Sequence, residues 1–200
     1  ASTNGKMGSM VLGDNSTTTV MNSANASELS ARFVGGYRLF TATGTDGNVT
    51  VGAQLTPGAT TWSGLSDSTK KAGFRPADGQ AFLRKIASMR LGSWNYRGQD
   101  ATTMRHYGPM AQDFFAAFGH DGVGTIGCDT LINQGDFDGV SLIAIKALIH
   151  ENAALKSRLD RLEAENKRLT TQNGTLEQQT ASLRQDMEAI KRLLVANTGN

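Results

Sequence analysis

Residues 145–194 read IKALIHENAALKSRLDRLEAENKRLTTQNGTLEQQTASLRQDMEAIKRLL. Leucine or isoleucine recurs at every seventh position, at Leu148, Leu155, Leu162, Leu169, Leu176, Leu183 and Ile190. Three residues ahead of each stand Ile145, Asn152, Leu159, Asn166, Asn173, Thr180 and Met187. This is a heptad seam with apolar d positions, and a helix carrying one supercoils because it cannot bury its stripe alone. At least one more copy of the chain is therefore expected alongside it.

The flanking positions suggest how the copies lie. Pairing each g residue with the next e residue of a parallel neighbour sets Glu151 against Lys156, Arg158 against Glu163 and Asp186 against Lys191, all of opposite sign. A parallel, in-register rod of about 75 Å follows from a rise of about 1.5 Å per residue. Asn152, Asn166 and Asn173 at a positions penalise slipped registers, because a buried amide opposite leucine loses its hydrogen bonds. On general rules asparagine at a with leucine at d leans toward two strands.

With about a quarter of its 200 residues in the rod, the chain has little left for a compact core. A net charge of +2 from 20 basic and 18 acidic residues provides no basic field for nucleic acid. The single Cys128 excludes an internal disulfide framework and a cysteine zinc site, and reads as a buried, inert thiol. No run of about twenty apolar residues and no signal peptide is in view, so no membrane partner is expected. The opening residues Ala1 to Gly5 read like the cut end of something longer.

Residues 1–65 hold one glutamate and short β-prone pieces at Met10–Leu12, Arg32–Val34, Tyr37–Phe40 and Val49–Val51, with turns at Gly13-Asp14-Asn15, Gly35-Gly36, Asp46-Gly47-Asn48 and Pro57-Gly58. Such strands have too little apolar surface for a monomeric core. Either strands from several chains share one narrow interior as a stalk, or the segment is disordered. From Ser66 the texture changes. Phe82, Leu83, Ile86 and Met89 recur at helical spacing after Asp78-Gly79, and Leu91 to Tyr96 reads as a strand with Trp94 and Tyr96 on one face. A second helix is expected to begin with Pro109 at its first position and to end at Gly119, carrying Met110, Phe114, Phe115 and Phe118. Asp138 is expected to cap the final helix. The fold class is α+β: the end of a β-rich stalk over 1–65, a small α+β domain over 66–140, and a long parallel coiled coil over 141–197.

Residues 66–140 contain no glutamate, which leaves no glycosidase carboxylate pair. Asp136 and Asp138 before Gly139 lack the remaining ligands of a calcium loop. His106, His120 and His150 lack the spacing of a helical zinc pair, so no metal or other cofactor is expected. Ser66 stands out in Gly64-Leu65-Ser66-Asp67-Ser68-Thr69-Lys70-Lys71. A desolvated lysine amine loses its proton near neutrality and can serve a serine hydroxyl as general base. On spacing alone, the preferred reading is Ser66 or Asp67 as a helix cap followed by solvated lysines.

Ser66-Asp67 with Lys71, Asp78-Gly79-Gln80, Trp94-Asn95-Tyr96, the block from Arg105-His106-Tyr107-Gly108-Pro109 to Phe114, and Asp138-Gly139-Val140 before a long coil together resemble the intramolecular chaperone domain of endosialidase-type phage tailspike and tail fibre proteins. The resemblance covers residues 66 to about 160. It implies a homotrimer whose C-terminal domain directs folding and register of the preceding stalk, its own folding client, then releases itself by cutting beside the serine. Ser66 and Lys71 then form the catalytic dyad of a single-turnover serine endopeptidase, and Leu65, Ser66 and Asp67 bracket the cleavage site. Ser68-Thr69-Lys70 stands where an arginine is common in the family, leaving Lys70 as an alternative to Lys71. The implied location is a tail fibre or tailspike of a phage or prophage, and the implied stoichiometry of three competes with the coil's leaning toward two. A non-proteolytic structural or receptor-binding fibre tip is the alternative reading.

Overall fold

The structure is a computed structural model and describes residues 1–197, with side chains to 194. Its contacts divide the chain into two compact units, Ala1–Pro76 and Ala77–Asn200.

The first unit is built of short strands. β1 (Met10–Gly13) pairs in parallel with β2 (Leu29–Arg32), Met10 opposite Leu29. β3 (Tyr37–Thr43) and β4 (Val49–Leu55) form an antiparallel hairpin, and β5 (Ser63–Gly64) adds a third strand on the far edge of β4. The hairpin closes where Asp46 accepts from the Asn48 backbone N–H at 3.0 Å and from its side-chain amide at 2.7 Å, an Asx turn.

The strand expected at Arg32–Val34 ends instead at Arg32. The Val34 N–H leaves the ladder to donate to Asp14 at 2.7 Å, and the Gly36 N–H closes a turn onto Phe33 at 2.9 Å. Gly36 sits at φ +87° with the Leu55 carbonyl where a Cβ would go, so only glycine fits the turn. Among the described residues no hydrophobic side chain of this unit is buried, and Leu39, Phe40, Val51 and Leu12 all stay exposed. The strands pair with one another but have no apolar interior of their own.

The second unit has one. α1 (Gly79–Ser88) starts where Asp78 accepts from the N–H groups of Gln80 at 3.0 Å and Ala81 at 3.2 Å. It offers Phe82, Leu83 and Ile86 as a half-buried face. β6 (Gly92–Trp94) and β7 (His106–Gly108) form a small antiparallel ribbon, followed by α2 (Ala111–Phe118). Ala111, rather than Pro109, takes the first position of α2, with Met110 as the N-cap in extended backbone and Pro109 one residue before the cap. Gly119 ends that helix, and the Phe115 ring lies where its Cβ would be.

The final helix α3 (Gln134–Asn197) runs for 64 residues. It begins earlier than expected. Asn133 Oδ1 accepts from the Gly135 N–H at 2.8 Å and its carbonyl from Phe137 at 3.0 Å, so Asn133 does the capping assigned to Asp138. Asp138 lies a full turn inside and accepts from the Gln134 side chain at 2.8 Å. The core gathers at this end, where Phe114, Phe118, Ala144 and Ala147 are buried. The Phe118 ring centroid lies 5.1 Å from that of Phe82 and 5.3 Å from that of Phe114. A Cβ on Gly79 would stand 2.7 Å from the Ala147 Cβ, so α1 and α3 meet through two small residues.

Ala144 and Ala147 lie on a face of α3 adjoining the heptad seam rather than on it. The seam therefore stays open. Leu155, Leu162, Leu169, Leu176 and Leu183 are each between 42% and 65% exposed.

Candidate functional site

Ser66 sits just past the edge of the three-stranded sheet. β5 pairs Gly64 with Ala53, and the Leu65 N–H continues the ladder by donating to the Gly52 carbonyl at 2.9 Å. After Ser66 the chain turns away. Asp67, at φ −71° and ψ 127°, caps a single 3-10 turn over Ser68–Lys70, its Oδ1 accepting from the Thr69 N–H at 2.8 Å. The Lys70 N–H closes onto the Asp67 carbonyl at 3.0 Å and the Lys71 N–H onto that of Ser68 at 3.2 Å. Backbone leaving the turn at Lys71 is extended again.

The turn carries the lysine side chain back over the serine. Lys71 Nζ donates to Ser66 Oγ at 2.7 Å, within the reach required of a nucleophile and its base. Both residues are exposed in the single protomer. For base catalysis the hydrogen bond has to reverse, a neutral amine accepting the hydroxyl proton, and removing water from around the amine favours that form.

Lys70 faces other company. Its positive charge adds to the forces lowering the pKa of Asp67, which is held down first by the Thr69 N–H and then by the Thr69 hydroxyl. It also contributes to lowering that of Asp46, where the Asn48 side chain is the main cause. The geometry thus separates the two lysines that spacing left in competition. Asp46 reads in the sequence as a hairpin-turn residue, and only the fold brings its charge near Lys70.

The other candidates are not gathered here. His106 stacks on Trp94 at 4.7 Å, with Nε2 3.3 Å from Gln99 Oε1, and Tyr96 closes the cluster edge-on at 4.9 Å from Trp94. His120 packs edge-on against Phe115 at 5.2 Å, and His150 is exposed on α3. Cys128 is exposed rather than buried, because 121–133 is irregular chain outside the packed helices. The Thr130 hydroxyl, aided by backbone N–H groups, pulls its thiol pKa down. Among the described residues no group of three His, Cys, Asp or Glu side chains could hold a metal, and no helix is long and apolar enough to cross a membrane.

Residues 66–122 match the model of a peptidase family described as the chaperone of endosialidase. The match begins at Ser66 itself, takes in the Lys71 contact, and runs on through α1, the β6–β7 ribbon and α2. It supports a chaperone role and fits a protein of the phage tail class. No curated protein matches the chain.

Proposed function

We propose that this chain is an intramolecular trimerisation chaperone of a phage or prophage tail fibre or tailspike. Residues 66–140 and the coil over 141–197 hold three copies together while the β-rich segment over 1–65 folds in register. The domain then cuts itself off beside Ser66. What carries the reading is the 2.7 Å contact between Lys71 Nζ and Ser66 Oγ at the first residue of the family match.

The open seam of α3 and the coreless sheet support the assembly part. A strand unit with no buried hydrophobic residue gains an interior only by sharing one. Register in polar strands is weakly specified, and a C-terminal clamp raises the effective concentration of the stalk ends while setting their stagger. Once the clamp has left, unfolding lacks a template for return, and the stalk is kinetically held.

In the cut, Ser66 Oγ attacks an adjacent carbonyl and Lys71 takes the hydroxyl proton. If the carbonyl is that of Leu65, its acyl group moves to the hydroxyl, the Ser66 amine leaves with a proton, and water hydrolyses the ester. If it is that of Ser66, the amine of Asp67 leaves instead. A neighbouring chain closing over the exposed amine would make cleavage wait for assembly. Exposure of both residues in the lone protomer equally fits an inert fibre tip, so the test is a mass measurement on freshly expressed chain. Two fragments from the natural chain and one species of 21.3 kDa from Ser66→Ala are expected. The sequence of the new terminus identifies the bond. A natural chain that stays whole after assembly would establish the inert tip.

A further inference from the structure

Lys71 is the fifth residue after Ser66, and the four intervening residues have to fold back for the side chains to meet. The feature that folds it is the Asp67 carboxylate, whose Oδ1 takes the Thr69 N–H at 2.8 Å and so closes the 3-10 turn. The same carboxylate lies within the electrostatic reach of Lys70, whose charge helps to lower its pKa. Without the cap, Ser68 to Lys70 has only the single-turn backbone bonds from Lys70 and Lys71 to hold it, and an isolated helical turn is poorly stable on its own.

We infer that Asp67 is the positioning residue of the Ser66–Lys71 pair: its side-chain cap sets the turn that returns Lys71, and not Lys70, to the serine. This rests on the proposed self-cleavage for its consequence but on the turn geometry for its content. In this role its side chain accepts from the Thr69 N–H and takes no part in the proton transfer between Ser66 and Lys71. It acts through Thr69 and the path of the backbone. Asparagine caps as well as aspartate does, whereas alanine does not. The Asp67→Asn and Asp67→Ala pair therefore separates the cap from the charge, since both remove the charge and only one removes the acceptor.

Two readouts test the inference. Self-cleavage should slow about fivefold or more in Asp67→Ala, the usual worth of a cap expressed as a ratio, and return to near the natural rate in Asp67→Asn. Hydrogen exchange on the uncut Ser66→Ala chain should show the Lys70 and Lys71 amides exchanging faster when Asp67→Ala is added and unchanged when Asp67→Asn is added. Equal cleavage in the two Asp67 variants, or equal exchange, would overturn the positioning role. Should the natural chain never cut while the exchange contrast appears, the turn assignment stands and the self-cleavage reading falls.

Discussion

At the scale of single residues the structure distinguishes side chains that spacing could not. Lys70 and Lys71 are neighbours, yet only Lys71 reaches Ser66 Oγ, at 2.7 Å. Lys71→Ala should leave an uncut chain that still assembles, whereas Lys70→Ala should cut at close to the natural rate; gel mobility over a time course separates these outcomes. Loss of cleavage in Lys70→Ala alone would transfer the base role to that residue. Arg90 illustrates an ion pair of the opposite importance. It meets Asp113 through two nitrogens at 3.0 and 3.2 Å, but its side chain is 81% exposed. Arg90→Ala should therefore cost under about 1 kcal/mol in denaturant unfolding.

Elements are held in different ways in the two units. In the second, α1 and α3 approach through Gly79 and Ala147, and a Cβ at position 79 would stand 2.7 Å from the one at 147. Gly79→Ala should destabilise by about 1–3 kcal/mol through overpacking, and Phe118→Ala by about 3–5 kcal/mol through the cavity left among Phe82 and Phe114. An unchanged denaturation midpoint in either would mean that the helices reseat around the change. In the first unit polar ties stand beside the ring contacts of Tyr37 with Phe33 and Trp62. Asp14 accepts from the Ser16 hydroxyl at 2.6 Å and the Val34 N–H at 2.7 Å, the serine bond being the main cause of its lowered pKa. A folded pKa below the ordinary 3.8 means that this contribution is present above that value and is lost as pH falls through the lower one. Faster exchange of the Val34 amide below about pH 3.8, absent from its pH response in Asp14→Ala, would report it.

For the whole molecule the decisive feature is the apolar surface left uncovered within each unit, the leucines of the α3 seam and the exposed hydrophobic side chains of the strands. The uncut Ser66→Ala chain should sediment at about 64 kDa, three times 21.3 kDa; a value near 43 kDa would restore the dimer that the a-position asparagines favour. Ending the chain after Ala147 should weaken assembly more than it unfolds the second unit, because the α1–α2 contacts survive while the exposed leucines of α3 are lost. Equally tight assembly of the short chain would make the coil an accessory. The long final helix was legible in the sequence because heptad spacing is a local pattern along one helix, and so were α1, from the spacing of Phe82, Leu83 and Ile86, and the family resemblance that begins at Ser66. Where a segment's backbone partners lie far along the chain, local pattern misled. Asp14 drew Val34 out of its expected strand across 20 residues, and Cys128 came to the surface on an irregular segment that offers no core. That Lys71 rather than Lys70 meets the Ser66 hydroxyl also belonged to the tertiary structure, because the contact spans a turn capped by Asp67.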